Sequence, residues 1–430
     1  MPASSSFADW VAEARAVPIE AALERARVRL RKQGPELVGP CPVCGGHRRF
    51  NVNRSKGIFL CRGSGEAGDV IALTRYLEAC DFKVACEILT GRPPPGRNSS
   101  ETPEERTARQ AIVAKREAQR AKYDEAKARE SERFRERERR WCWDAWQAAV
   151  PVVGSPAEAY LALRGLIVPE RAALKCVLEH PFFADGKAGA AVVHTGPAMV
   201  AAIVGPAGKF AGLHATWIDL GRSGGKVEIG DPETGELLPA KKVRGSAGGG
   251  HIPLVPHPAP KDLVVGEGIE TVLTVWRAHV ACRWPYLADA AYWSAYSLHN
   301  IAGPATKTVA HPTERLIDRA GRERARRVGG PVPDLARPGL IIPPSVERVW
   351  LLGDGDSDRT MTEMALERAA RRFRAGRPWL DVRVAWAPEG QDFNDVLRTA
   401  AAEAGSTIAQ CIPLEGGGRT YEHATYSHVS

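Results

Sequence analysis

The sequence lacks any long apolar run. No stretch reaches the roughly 20 apolar residues that a membrane-spanning helix needs, and the most apolar region, residues 188–204, is interrupted by His194, Gly196 and Pro197. The first residues, MPASSSFADW, contain neither the basic segment nor the apolar core of a secretory signal. We therefore expect a soluble, cytoplasmic protein that has no membrane partner.

The sequence also lacks the phosphate-binding motifs GxxxxGKS and GxxxxGKT, which makes an ATP-driven motor of that type unexpected in this chain. Its nine cysteines are an odd number. Without an export signal, clustered cysteines are better explained as metal ligands than as disulfides. Six cysteines have no ligand spacing and are interpreted as small buried apolar residues: Cys80, Cys86, Cys142, Cys176, Cys282 and Cys411.

The chain of 430 residues has a formal net charge of +8 and a pI of about 9.0. Its length is typical of about two to four domains, and a hydrophobic fraction of 44% is enough to build real cores. A basic balance favours a polyanionic partner, although many basic proteins bind no nucleic acid. The net charge alone is therefore weak evidence for nucleic-acid binding.

Composition shifts predict a multidomain fold of mixed α/β and α+β class. Residues 1 to about 35 have helical periodicity, which Gly34 and Pro35 end. From about residue 261 strands and helices alternate, which predicts a mainly parallel sheet, with residues 302–345 as an insertion. The expected domains are a small cysteine-containing head at 1–97, a charged helical linker at 98–150, an α+β middle unit at 151–260, an α/β domain at 261–412 and a disordered tail at 413–430.

Three tryptophans, Trp141, Trp143 and Trp146, follow the charged linker at close spacing. They either stack on nucleic-acid bases or dock the end of the linker helix onto a core. Docking is the interpretation that we favour, because large aromatic side chains contribute most when they are buried.

Acidic residues follow three predicted strands. Glu267 lies in VVGEGIET, Asp354, Asp356 and Asp358 in LLGDGDSD, and Asp392 and Asp395 in EGQDFND. The carboxyl ends of parallel strands meet at one edge of a sheet, and carboxylates gathered there need a cation. Oxygen ligands of this kind suit Mg²⁺ or Mn²⁺. Any one of these acids alone is more often a helix cap or a turn residue.

The motifs EGIET, DGDSD and QDFND resemble the signature of Toprim domains, which occur in bacterial primases, topoisomerases and some nucleases. The resemblance implies catalytic and metal-binding roles for Glu267, Asp354 and Asp356, and a further metal-binding role for Asp392. The resemblance is weaker at Asp358, another candidate ligand, and at Asp395. Primases of this type commonly have an aspartate four residues after the glutamate, where this sequence has Thr271.

Cys41 and Cys44 form a CxxC motif, and Cys61 follows it. This region resembles the zinc ribbon of phage and bacterial primases, which implies a zinc site and contact with template DNA. The fourth ligand position holds Ser64, so the three thiolates would bind zinc with His47 or water, or the unit is metal-free. The basic residues Arg48, Arg49, Lys56 and Arg62 lie among Phe50 and Phe59, which either stack on bases or belong to the core.

The middle unit resembles the domain that precedes Toprim in mobile-element and phage primases, through AYLALRGL, GLHATWIDL and KKVRGSAGGGHIPL. Four basic residues in and near the last motif are candidates for binding nucleotide or DNA phosphates: Lys226, Lys241, Lys242 and Arg244. The alternative is a flexible basic loop that has no ligand.

Together these resemblances imply a DNA primase that makes short RNA primers on single-stranded DNA from nucleoside triphosphates. Because the chain has no P-loop, its replicative helicase would be a separate partner. The alternatives are a Toprim-type Mg²⁺-dependent nuclease and a non-catalytic DNA-binding adaptor of a mobile element. A topoisomerase is disfavoured, since no extra domain is available for its nucleophilic tyrosine.

Overall fold

The computed structural model describes residues 6–33, 36–95, 103–183, 191–232, 235–317 and 323–403. The chain divides into two compact units. The first comprises residues 1–132 with 308–328, and the second comprises residues 133–307 with 329–430. The expected tail at 413–430 lies outside the described residues. Among the described residues, every helix is too short or too polar to cross a membrane.

The first unit begins with two helices and continues as a five-stranded antiparallel sheet and two further helices. Its elements are α1 (Phe7–Ala16), α2 (Ile19–Arg25), β1 (Arg31–Gln33), β2 (Glu36–Cys41), β3 (Gly45–Asn53), β4 (Ile58–Cys61), β5 (Ala67–Gly68), α3 (Val70–Glu78) and α4 (Phe82–Thr90). The prediction of helix up to about residue 35 is wrong, because Arg27 adopts φ 52° directly after α2 and the chain then turns into β1. That left-handed conformation cannot continue a helix.

Helix caps and apolar burial explain these boundaries. Ser6 and Asp9 form a reciprocal capping box at α1, and Asp69 and Asp81 cap α3 and α4. Trp10 is fully buried in the core of this unit. Its indole donates a hydrogen bond to Thr90 at the end of α4, at 3.0 Å. The first and last helices of the head are therefore joined.

A helix of 46 residues, α5 (Pro103–Ala148), follows, as the charged composition predicts. Its last turns belong to the second unit and pack within it. Cys142 is fully buried, and Trp141 lies against His180 and Phe183 at 5.6 and 6.2 Å between ring centroids. Docking is therefore the role of Trp141. Trp143 keeps 44% of its surface exposed.

The middle of the chain forms an antiparallel sheet in the order β12-β9-β8-β7-β6. Its elements are β6 (Val150–Pro151), α6 (Pro156–Leu163), β7 (Leu174–Phe183), β8 (Val192–Val204), β9 (Phe210–Trp217), the short pair β10 (Ile229–Gly230) and β11 (Leu237–Leu238), and β12 (Lys241–Gly245). Since α6 packs on β7 and β8, this region has the α+β character that its sequence predicts.

The remaining residues form a second five-stranded sheet in the order β13-β15-β14-β18-β19. Its elements, with the hairpin β16–β17 that belongs to the first unit, are β13 (Ile252–Val255), β14 (Asp262–Gly266), α7 (Ile269–Ala281), β15 (Ala290–Ser294), α8 (Leu298–Ala302), β16 (Thr308–Ile317), β17 (Glu323–Gly329), β18 (Arg348–Gly353), α9 (Arg359–Arg374), β19 (Asp381–Trp386) and α10 (Phe393–Glu403). Strands β14, β15, β18 and β19 pair in parallel, and only β13 is antiparallel to its neighbour. The sheet is thus mainly parallel.

Candidate functional site

An acidic edge lies at the carboxyl ends of β14, β18 and β19. Glu267 follows β14, Asp354 and Asp356 follow β18, and Asp392 lies between β19 and α10. Strand β18 is hydrogen-bonded between β14 and β19, so all three acidic segments leave the same side of the sheet. The structure therefore brings together the acidic groups that the sequence singled out.

Gly355 holds two of these segments in close contact. Its N–H donates to the carbonyl of Gln391, and the N–H of Gly390 donates back to the carbonyl of Gly355, both at 2.9 Å. A Cβ at position 355 would lie 2.0 Å from the carbonyl oxygen of Pro388. Only glycine fits between Asp354 and Asp356 in this arrangement, and the same contacts bring Asp392 towards Asp354.

Burial and electrostatic repulsion act together at the acidic edge. Burial, followed by the charges of Asp392 and Asp356, raises the pKa of Asp354 from 3.8 to about 7, and Glu267 adds to the shift. Burial also raises the pKa of Glu267, with a further contribution from Asp356 and an opposing one from Lys241. A set of hard oxygen donors whose charges repel one another suits a divalent cation.

Thr271 takes part in the same site. Its hydroxyl donates to the two oxygens of Asp354 at 3.3 and 3.5 Å, and this contact lowers the pKa of Asp354 against the larger effects that raise it. A threonine at this position supplies a donor to the acidic edge, where an aspartate would add one more negative charge.

Asp358 has a structural role beside the one that the resemblance implies. One of its oxygens accepts from the backbone N–H of Met361 at 2.9 Å, which makes it the N-cap of α9. Asp392 and Asp395 likewise cap α10 reciprocally, with Asp392 accepting from the N–H of Asp395 at 2.7 Å. Asp392 acts on Asp354 as well. A cap engages one oxygen of a carboxylate, so metal binding by Asp358 and Asp392 stays a prediction.

Glu270, a carboxylate in the first turn of α7, has its charge balanced by neighbouring cations, and no sequence pattern singled it out. It is 4% exposed and forms ion pairs with Lys226 at 3.2 Å and Lys241 at 3.0 Å. The hydroxyl of Tyr160 donates to it at 2.5 Å. Burial alone would raise the pKa of Glu270, but Lys241 and Lys226 hold it well below its ordinary value. Its place on the buried face of an apolar helix was the available signal.

The four basic candidates of the middle unit separate into two pairs. Lys241 and Lys242 are consecutive in β12 and therefore point to opposite faces. Lys241 joins Lys226 at Glu270, while Lys242 lies over the ring of Phe182 at 3.9 Å. Arg244, 8% exposed, forms a buried ion pair with Glu138 of α5 at 3.0 Å. All four basic residues thus have partners within the fold, and they do not form one group. Their binding of phosphates stays a prediction.

A cluster of three thiols lies in the first unit. The sulfur atoms of Cys41, Cys44 and Cys61 all lie within 4.8 Å of one another, with 3.4 Å between the sulfurs of Cys44 and Cys61. Backbone N–H groups of Val43 and Cys44 point at the sulfur of Cys41 at 3.4 Å. A hydrogen bond with Cys41 lowers the pKa of Cys61 to about 4. Three soft donors at this spacing fit Zn²⁺.

The aromatic residues near this cluster are part of the core. Phe50 and Phe59 are 0% and 2% exposed, so the alternative that they stack on bases is wrong. Strand β4 instead exposes Ile58 and Leu60, which alternate with its buried residues. The side chains of His47 and Arg48 lie outside the part of the chain that the structure describes.

Comparison with known families matches two segments of the chain. Residues 12–94 match the CHC2 zinc finger, and residues 136–254 match a domain of unknown function (DUF7146). Each match covers less than half of the chain. Comparison with curated proteins gives no match.

Several solved structures of primases are similar to the chain. The zinc-binding and RNA polymerase domains of the Aquifex aeolicus primase are 15% identical, with 94% of this chain and 85% of that chain covered and a TM-score of 0.32. A DnaG catalytic core is 14% identical, with 63% and 77% covered and a TM-score of 0.33. A DnaG primase catalytic domain bound to ssDNA is 16% identical, with 67% and 84% covered and a TM-score of 0.35. TM-scores of this size do not establish a shared fold.

Proposed function

We propose that this protein is a DNA primase that synthesises short RNA primers on single-stranded DNA at a Toprim-type site. The observation that carries the proposal is the convergence of Glu267, Asp354, Asp356 and Asp392 on one sheet edge, where burial and mutual repulsion raise the pKa of Asp354 to about 7. The CHC2 zinc finger match at residues 12–94 supports it, because a zinc ribbon is a means of contacting template DNA.

The carboxylates at this edge would hold Mg²⁺ or Mn²⁺. Asp354 and Asp356 are the candidate ligands for the ion that contacts the triphosphate, and Glu267 would bind a second ion or direct the attacking 3′-hydroxyl. Two bound ions would supply activation of the attacking oxygen and stabilisation of the leaving pyrophosphate. Thr271 orients Asp354 through its hydrogen bond of 3.3 Å.

Lys241 links the middle unit to this chemistry. Its ammonium is fixed by Glu270 at 3.0 Å, and its charge acts on Glu267. A fixed cation beside the acidic edge is positioned to contact nucleotide phosphates. Lys226 shares Glu270 and adds a second positive charge. The replicative helicase would be a separate protein, in keeping with the absence of a P-loop.

The test is a primer-synthesis assay with the full chain, single-stranded DNA and labelled ribonucleotides, with Mg²⁺ and with EDTA. We expect short Mg²⁺-dependent products from the native protein and none from the Asp354→Ala, Asp356→Ala variant. Glu363→Gln is the matched control, because it removes an acid of α9 that pairs with Arg359. Equal synthesis by the double variant would contradict the proposal. Mg²⁺-dependent loss of the DNA would identify a nuclease, and DNA binding without either reaction an adaptor.

A further inference from the structure

Two hydroxyl groups occupy the side of the three-thiol cluster where a fourth zinc ligand belongs. Ser64 lies three residues after Cys61, and its N–H points at the sulfur of Cys61 at 3.4 Å. The hydroxyl of Tyr76 lies 2.9 Å from the hydroxyl of Ser64 and 3.1 Å from the sulfur of Cys41. The tyrosine ring is held by stacking against Phe59, with 5.5 Å between centroids. The thiols therefore face a fixed pair of neutral oxygen atoms.

A cavity of about 550 Å³ opens on this same side. Cys44, Ser64 and Tyr76 line one wall, and the hairpin β16–β17 of the same unit lines the other with Thr308, Arg324 and Arg327. Gly65, next to Ser64, lies against Thr308, where a Cβ would approach its methyl group to 3.2 Å. The cavity is larger than a water molecule requires, so a small ligand has room to reach the cluster from it.

We propose that Cys41, Cys44 and Cys61 hold zinc in a three-thiolate site whose fourth position takes an exchangeable ligand from this cavity, either water or a small anion. Neutral hydroxyls of serine and tyrosine are weak zinc ligands beside thiolates. They are, however, good hydrogen-bonding partners for a bound water or anion, and Ser64 and Tyr76 orient it. The zinc ribbon of this chain is therefore open at the position where a structural site of four protein ligands is closed.

Cobalt substitution tests the open position without any assay of activity. Co²⁺ bound to the full chain should give the charge-transfer intensity of three thiolates, and added azide or imidazole should shift its d–d bands. Ser64→Cys should give four-thiolate intensity, bind Zn²⁺ roughly tenfold more tightly or better, and remove the response to azide. Ser55→Cys, which adds a thiol in a turn of the same unit, is the matched control and should behave as the native chain.

Two further variants identify the groups around the ion. Tyr76→Phe keeps the ring stacking and removes the hydroxyl, so it should retain the metal and change the affinity for azide. His47→Ala should leave the cobalt spectrum unchanged. Loss of the native d–d bands in His47→Ala, indifference of the native spectrum to azide and imidazole, or failure of the native chain to bind Co²⁺ and Zn²⁺ would each overturn the proposal. The outcome is independent of whether the protein makes primers.

Discussion

Glu270, which is buried, and Asp354, which is half-buried, are two carboxylates that lie on either side of one threonine. Glu270 immediately precedes Thr271 in α7, and the hydroxyl of Thr271 donates to Asp354. The surroundings of the two acids nevertheless have opposite charge. Lys226 and Lys241 contact Glu270 and lower its pKa, whereas burial and neighbouring acids raise the pKa of Asp354 to about 7.

Burial disfavours the charged form of both carboxylates, and the charge of the neighbouring groups decides whether the pKa is lowered or raised. The fold supplies Glu270 with two cations and a tyrosine hydroxyl, so its charge is balanced within the protein. At Asp354 the fold gathers further carboxylates instead. An arrangement that repels itself in the metal-free protein becomes favourable when a divalent cation binds.

Removing the charge of Glu270 should have the largest effect on stability. We expect Glu270→Gln to lower the free energy of unfolding at neutral pH by roughly 2–4 kcal/mol, because Lys226 and Lys241 lose their buried partner. The pKa of Glu270 is lowered on folding, so its stabilisation is present above its ordinary value of 4.5 and is lost as the pH falls below it.

Urea unfolding at about pH 7 and at about pH 4 measures this difference. The difference in free energy of unfolding between the native protein and Glu270→Gln should be smaller at the lower pH. Glu363→Gln, which breaks the exposed ion pair with Arg359, is the control and should change stability by less than about 1 kcal/mol. If Glu270→Gln were as stable as the native protein, the ion pairs of Glu270 with Lys226 and Lys241 would contribute nothing to stability.

Neutralising Asp354 should stabilise the metal-free protein, whereas neutralising Glu270 should destabilise it. The pKa of Asp354 is raised from 3.8 to about 7, so the metal-free protein loses stability as the pH rises through that interval. We expect Asp354→Asn to stabilise the EDTA-treated protein by about 1–3 kcal/mol above pH 7 and to leave it unchanged near pH 4. Thermal unfolding in EDTA across this range checks the sign, and destabilisation at high pH would contradict it.

Asp358 caps a helix, and its contribution to stability should be smaller than that of Glu270 or Asp354. Because its carboxylate accepts from the N–H of Met361, Asp358→Ala should lower stability by about 1 kcal/mol. Asp358→Ser should restore most of that loss, since a serine hydroxyl caps a helix as well. Thermal unfolding of the three proteins measures this ranking. An equal loss in both variants would mean that Asp358 acts through its charge.

The sequence was informative wherever local patterns determine structure. The strand-end acids Glu267, Asp354 and Asp392 were found because alternating strands and helices place their carboxyl ends together. The partners of Glu270 were not found, because Lys241 contacts it from a position 29 residues away in the sequence and Lys226 from one still farther away. The inclusion of residues 308–328 in the first unit also depends on contacts distant in sequence.

The sequence could have predicted that the basic residues of β12 lie on opposite faces of the strand. Strand alternation alone separates Lys241 from Lys242 and Arg244 once β12 is recognised. The start of that strand was missed because the region is rich in glycine and reads as a loop. The burial of Arg244 against Glu138 of α5 required the tertiary structure.

Binding of Mn²⁺ as a function of pH, followed by electron paramagnetic resonance, tests the central claim that the acidic edge is completed by a divalent cation. The account predicts that the native protein binds Mn²⁺ more tightly as the pH rises through about 7, because Asp354 must lose its proton. Asp354→Asn should weaken binding by at least about tenfold and abolish this pH dependence, while the Glu363→Gln control binds as the native protein does. Equal Mn²⁺ affinity in the native protein and Asp354→Asn, at every pH, would contradict the account.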